Sequence, residues 1–344
     1  MKIAVVSVST HAYKNNKIFT PLGKTVKMEG LSISRQDSNS GFTKLKELFD
    51  EENININTYD LFDKNDNIDI EFHINGSFSK KTNASKLYCI HPEIYLVDKE
   101  CDPKILKKKY DKIFTNIKKD VDNNRFIELQ VPQGYKKTRI EKIERPKLAC
   151  IVASNKNLNR YYSKSGYVLR TKLIKWANKH NENLDVYGPD WNLFFSSNYY
   201  VNRFLRFFQK KINFNIKRKG IFKGVCLNKV ETMSHYKFSF VFENVYDVDG
   251  YFTQNLFDSL KNGCVPIYLG PQNVNEYIPE NCLIDFRQFS NFENLFKFLK
   301  NMSSSEYFKI IDNINNFLFS EKYMEFAPEN FANRILTQVK NEKF

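Results

Sequence analysis

No stretch of this chain approaches the roughly 18 to 20 consecutive apolar residues of a membrane span. No signal peptide is expected, because Met1-Lys2 runs straight into the apolar segment Ile3 to Val8. No CxxC pair links any of the six cysteines (Cys89, Cys101, Cys150, Cys226, Cys264, Cys282). That excludes the usual zinc-site spacing and fits reduced core thiols in a cytosol. Internal repeats, low-complexity tails and recognised nucleic-acid motifs are also absent, so nucleic acid is not expected as a partner. Acidic residues are in deficit, 39 against 53 basic ones, which gives a formal charge of +14. The sequons at Asn75, Asn83 and Asn301 matter only in a secretory pathway and are read as chance matches.

Aromatic residues are abundant instead: 31 Phe and 19 Tyr in a chain that is 42% hydrophobic, enough for packed cores and incompatible with disorder. At 344 residues the chain exceeds what one core usually holds, so two domains are expected. Residues 1–140 alternate strand-like apolar runs with helical patterns. Ile3 to Val8, Lys86 to Ile90, Ile113 to Thr115 and Phe126 to Val131 read as strands, and Thr43 to Phe49 as a helix. Ile68, Ile70, Phe72 and Ile74 alternate with Asp69, Glu71 and His73, the pattern of a strand with one wet face near a sheet edge. Residues 138–147 are charged and carry no apolar stripe, which places a linker there. A second array spans 148–335, with strands at Leu148 to Ala153, Leu184 to Tyr187, Ser239 to Phe242 and Val265 to Leu269 and a helix at Arg170 to Lys179; 336–344 is left as a tail. The expected fold class is α/β, two Rossmann-like domains facing a cleft.

Tyr236 to Phe289 holds the densest chemistry. An apolar strand ends at Phe242 and empties into Glu243, Asn244 and Asp247. Gly250 then leads into a helix with Thr253 in its first turn, and Gly263 ends it. A strand's carboxyl end followed by a helix amino terminus is where open α/β sheets bind phosphorylated ligands. Asp247-Val248-Asp249 matches the metal-binding DxD of other transferases, but in this strand-loop-helix setting it reads as a turn.

This stretch resembles the carboxyl-terminal signature of glycosyltransferase family 10, the α-1,3/α-1,4-fucosyltransferases. The matching motifs are Tyr236-Lys237-Phe238, Phe242-Glu243-Asn244, Tyr251-Phe252-Thr253 and the run Gly263-Cys264-Val265-Pro266-Ile267-Tyr268-Leu269-Gly270. Tyr277-Ile278-Pro279 and Ile284-Asp285-Phe286-Arg287 follow in order. Upstream, Ser154-Asn155, Arg170, Asp185-Val186-Tyr187-Gly188, Gly224 and Lys229 resemble the start of the family's donor domain, so the likeness covers about 148 to 335. It implies a GT-B type fold, an inverting mechanism and GDP-fucose as donor, with no obligatory metal or other cofactor, though a divalent ion is compatible. A glycan acceptor, such as a bacterial surface polysaccharide or lipopolysaccharide, would be the second substrate.

The resemblance assigns donor binding to Arg170, Lys229, Glu243, Asn244, Tyr251, Thr253, Gln254 and Asn255, and the catalytic base to Glu93, which follows the strand ending at Ile90. His91 is the adjacent alternative base. One departure stands out: the family has Glu-Lys where this chain has Gln254-Asn255. Gln254 still accepts a hydrogen bond, whereas Asn255 loses a cation that would face a departing diphosphate. The donor is therefore GDP-fucose with compensation, a different nucleotide sugar, or a ligand that is bound with little or no turnover.

The segment 191–219 interleaves Phe194, Phe195, Tyr199, Tyr200, Phe204, Phe207 and Phe208 with Arg203, Arg206, Lys210, Lys211, Lys217, Arg218 and Lys219. It reads either as a packed excursion with snorkelling cations or as a peripheral contact with an anionic membrane. A diphosphate ligand and an anionic inner-membrane face account for the positive charge, and the expected location is cytoplasmic.

Overall fold

A computed structural model of the protein describes residues 2–6, 14–20, 26–28, 31–33, 39–63, 65–76, 79–135, 138–158, 162–194, 196, 198–212 and 221–342. The expected strand residues Ser7 and Val8, and Phe195, Lys217, Arg218 and Lys219 of the aromatic-basic segment, lie outside them. The chain forms two compact units. One holds Met1–Val26, Arg35–Tyr135 and Glu321–Phe344, the other Lys27–Ser34 and Lys136–Ser320.

The first unit is built on β1 (Lys2–Val6), β2 (Asn55–Thr58), β3 (Ile70–Ile74), β4 (Lys86–Ile90), β5 (Lys112–Thr115) and β6 (Phe126–Glu128). They pair in the order β2-β1-β3-β4-β5-β6, every pair parallel. Parallel sheets need cover on both faces. Helix α1 (Ser40–Glu51) supplies part of it by burying Phe42, Leu45 and Phe49 at helical spacing. The closing helix, Pro328–Lys340, packs on the same core through Phe331, Ala332, Ile335 and Val339. Proline opens that helix where no intrahelical N–H is needed. The second array therefore does not run to 335. The chain from Glu321 returns to the first unit, because the apolar stripe of the closing helix completes that core rather than forming a tail.

Strand β3 is central, not at an edge, and neither face is wet. Glu71 and His73 are both 0% exposed. They hydrogen-bond each other at 2.7 Å, and the Glu71 carboxylate accepts from the Lys81 and Thr82 amides and the Thr82 hydroxyl. Alternation of polar residues here marks a paired buried couple, not solvent.

The second unit carries β7 (Lys147–Val152), β8 (Leu184–Tyr187), β9 (Phe222–Gly224), β10 (Tyr236–Phe242), β11 (Val265–Leu269) and β12 (Ile284–Asp285). Their order is β9-β8-β7-β10-β11-β12, again all parallel, the order of a dinucleotide-binding sheet. Chain order reverses between β7 and β10, so a crevice is expected at the carboxyl ends of those two strands. Residues 138–147 are not a free linker but part of this unit. The Ile140 amide donates to Asn315 Oδ1 at 2.8 Å, and buried Arg145 donates to the Met233, Tyr236 and Asn262 carbonyls. Charge in this stretch is taken up within the unit, Arg145 by carbonyl oxygens and Lys142, Glu144 and Lys147 by ion pairs with Asp312, Lys237 and Asp185.

Four helices place the functional side chains: α2 (Gly166–Lys179), α3 (Tyr199–Lys211), α4 (Lys229–Ser234) and α5 (Gln254–Lys261). Helix α2 begins four residues before the expected Arg170. A Cβ at Gly166 would lie 1.7 Å from the Glu243 carbonyl oxygen, so only glycine admits this approach of α2 to the end of β10. The Gly166 amide closes the contact by donating to Asn244 O at 3.0 Å.

Candidate donor site

The site begins where β10 ends. Arg170, one turn into α2, donates from Nε to the Phe242 carbonyl at 3.1 Å and from Nη2 to the same oxygen and to Asn244 Oδ1 at 3.2 Å. The guanidinium also lies over the Tyr167 ring, 5.0 Å from its centroid. It is 4% exposed, and burial lowers its pKa, opposed by Tyr167, Glu243 and Tyr251. From Asn244 the network continues to Tyr251, whose hydroxyl accepts from Nδ2 at 3.4 Å.

Glu243 is 1% exposed. Its Oε1 accepts from the Thr253 amide at 3.0 Å and the Tyr268 hydroxyl at 3.1 Å, tying β10 to β11 and to the start of α5. Its Oε2 is buried with no hydrogen-bond partner among the described residues. Burial raises this carboxyl's pKa, opposed by Thr253, Arg170 and Tyr268. Glu243 thus acts on the site by bracing three elements.

Thr253 caps α5, its side chain accepting from the Asn255 amide. Gln254 and Asn255 are the first two residues of that helix, where N–H groups and the helix dipole favour an anion. Lys229 reaches across from α4, itself capped by Asn228. Its Nζ stands 2.9 Å from Asn255 Oδ1 and 2.7 Å from Asp258 Oδ2. Arg170, Lys229 and Asn255 share one small cavity with Val152, Ala153 and Phe242, the residues at the carboxyl ends of β7 and β10. The reversal point of the sheet therefore gathers two cations, Arg170 and Lys229, and one carboxylate, Asp258, around a small concavity.

Seven of the eight residues assigned to the donor fall into two hydrogen-bonded groups: Arg170, Asn244 and Tyr251 in one, and Glu243, Thr253, Asn255 and Lys229 in the other. Gln254 sits between Thr253 and Asn255 at the start of α5. Glu93 belongs to the other unit. It follows β4, its Oε1 accepts from the Ile94 amide at 2.9 Å, and its own amide donates to Asn75 Oδ1. His91 takes a left-handed backbone, φ 47°, and its Nε2 donates to the Leu129 carbonyl at 3.0 Å. Burial pushes its pKa down to about 4, so it is a neutral structural donor at ordinary pH.

Sequence reasoning passed over Asp258, whose position three residues after Asn255 on the same helix face was the available signal. It also passed over the clamp on the loop after β10. Asp247 accepts from Arg287 at 2.6 Å and pairs with Lys164 at 3.0 Å. Burial raises the Asp247 pKa, but hydrogen bonds from Arg287 and Lys164 outweigh it and hold the group below the usual range. Asp247 is thereby committed to fixing the turn. No group of three or more His, Cys, Asp or Glu side chains among the described residues is placed to hold a metal ion.

Residues 143–311 match the family described as glycosyltransferase family 10 (fucosyltransferase), carboxyl-terminal part. Within the chain, 70 residues are 40% identical to an α-(1,4)-fucosyltransferase of Arabidopsis thaliana, which is 20% of this chain and 17% of that protein. The stretch shared with this relative is thus a small part of its length. In three dimensions the chain is similar to a crystal structure of an α-1,3-fucosyltransferase with GDP-fucose, with a TM-score of 0.53 at 15% identity, covering 100% of this chain and 91% of that one. It is also similar to a DNA-modifying β-glucosyltransferase, with a TM-score of 0.52 at 11% identity, covering 98% and 99%. These likenesses establish an α/β fold of the GT-B type. Residues 143–311, just under half of the chain, thus carry the carboxyl-terminal signature of glycosyltransferase family 10.

Proposed function

We propose that the protein is an inverting glycosyltransferase that moves fucose from GDP-fucose to a hydroxyl of a glycan acceptor. The observation that carries this reading is the cavity at the β7–β10 reversal, lined by Arg170 and Lys229 and facing the amino end of α5, inside the stretch that matches the family. Breaking the sugar–phosphate bond leaves negative charge on the diphosphate. Fixed cations and helix amides aimed at that charge are usually the largest catalytic contribution. In this reading Arg170 and Lys229 supply the cations, Thr253, Gln254 and Asn255 the amino end of α5, and Asn244 and Tyr251 the contacts that orient the donor. Glu243 holds the strand and helix in register. No metal is obligatory. Glu93 takes the acceptor proton as the sugar passes through an oxocarbenium-like state, since inversion needs a carboxylate on the acceptor side. A bacterial surface glycan such as lipopolysaccharide is the acceptor this reading favours.

Incubating the protein with GDP-fucose and a Galβ1,4GlcNAc acceptor tests it, with product mass as readout. A fucosylated product is expected; the absence of both transfer and donor hydrolysis would overturn the assignment. A second reading, a different nucleotide sugar, is favoured by Asn255 standing where the family has lysine. A thermal-shift screen across GDP- and UDP-sugars separates the two, because a ligand that binds only the native state raises its stability.

A further inference from the structure

Helix α3 is inside out. Its polar residues Asn202 and Gln209 are buried and hold it to the preceding loop. Gln209 Oε1 accepts from the Phe194 amide at 2.7 Å, its Nε2 donates to Asn192 O at 2.8 Å, and Asn202 Oδ1 accepts from the Ser196 amide at 3.1 Å. These bonds fix the rotation of the helix and turn its apolar stripe outward. Tyr200 is 78% exposed, Phe204 61%, Phe207 63% and Ile212 67%. Tyr200, Phe204, Phe207 and Phe208 recur at the three- and four-residue spacing that keeps them on one face. The Phe204 and Phe208 rings meet at 4.6 Å, making the stripe continuous. Along α3 these aromatic side chains lie outward, whereas Trp191 and Leu193 at the start of the segment are packed.

Charge says what covers the stripe. Between Asp190 and Glu231 the sequence contains no acidic residue. Arg203, Lys210 and Lys211 are exposed beside the aromatic face. Arg206, by contrast, is spent on the protein, donating to the Phe194 carbonyl at 2.8 Å. Aromatic side chains flanked by cations, with no acid among them, complement a surface that is apolar below and anionic above, as a bilayer of acidic lipids is. No helix among the described residues is long and apolar enough to cross such a bilayer. A helix of 13 residues lies flat over about 20 Å.

We propose that α3 docks this protein on an anionic membrane, seating Tyr200, Phe204, Phe207 and Ile212 at the acyl boundary with Arg203, Lys210 and Lys211 among the phosphates. The inference is independent of the donor assignment.

Sedimentation of the full chain with phosphatidylcholine vesicles, with and without phosphatidylglycerol, tests it. Two surface variants accompany the wild type: Phe204→Ser/Phe207→Ser and Arg203→Glu/Lys210→Glu. Their thermal melting and gel filtration show whether they fold and whether they self-associate. Binding only to the anionic vesicles is expected, weakened about tenfold or more in either folded variant and by added salt. Equal binding to neutral vesicles, no binding at all, or unchanged binding by folded variants would overturn the proposal. So would a wild-type dimer that Phe204→Ser/Phe207→Ser dissociates in the absence of vesicle binding, which would make a second copy the occupant.

Discussion

Lys229 Nζ stands 2.9 Å from Asn255 Oδ1, so the ammonium borne by α4 occupies the neighbourhood of the side chain where the family carries its own lysine. In our account the cation has changed helix without leaving the site. Asn255→Lys would then bring two ammonium groups together beside a single Asp258 carboxylate. Lys229 is about a third exposed, so solvent screens the repulsion, and about 1 kcal/mol of destabilisation is expected. Asn255→Lys should lower turnover of the donor, whereas adding it to Lys229→Asn should recover activity lost by that change. Steady-state rates of the three variants check this. A gain of activity from Asn255→Lys alone would show that Lys229 does not serve as the replacement.

Glu243 makes stability depend on pH. Its folded-state pKa is raised, chiefly by burial, so its contribution is fully present below the ordinary glutamate pKa of 4.5 and is lost as pH rises through the raised value. Glu243→Gln keeps the acceptor for the Thr253 amide and removes the ionisation. The wild type should lose stability relative to this variant as pH is raised from about 4 to 8, read from denaturant midpoints. Parallel midpoints across that range would contradict the buried-carboxyl description.

Gly166→Ala places a methyl group against the Glu243 carbonyl, where it would lie 1.7 Å away if nothing moved. Helix α2 must retreat, taking Arg170 from the Phe242 carbonyl. We expect a loss of about 2 kcal/mol or more and weaker donor binding. Chemical denaturation and nucleotide titration of one sample measure both. A variant as stable as the wild type would mean that the α2–β10 approach is not tight in solution.

The elements that surround the site were legible because buried parallel strands write themselves as short apolar runs. Leu184–Tyr187 and Val265–Leu269 begin and end where their composition says. Arg170, Asn244 and Tyr251 were singled out by the family resemblance, and the fold brings them into one hydrogen-bonded chain at the end of β10. What was not legible is long-range pairing. Glu71 and His73 look like a wet strand face until each is seen to be the other's partner. Arg145 looks like linker charge until three carbonyls converge on it. Asp258 was marked only by its place three residues after Asn255, and its partner is seen only once α4 brings Lys229 to it. The closing helix has an ordinary apolar stripe, and nothing local to it says which unit's core it completes.

The central claim is that a nucleotide diphosphate binds at the β7–β10 reversal with Lys229 as one of its cations. Calorimetric titration of GDP into the wild type and Lys229→Ala tests it most directly, with thermal melting of the same samples to show that the variant is folded. The account predicts saturable binding by the wild type and a Kd at least about tenfold weaker in Lys229→Ala. The same Kd in both proteins, or no GDP binding by the wild type, would contradict it.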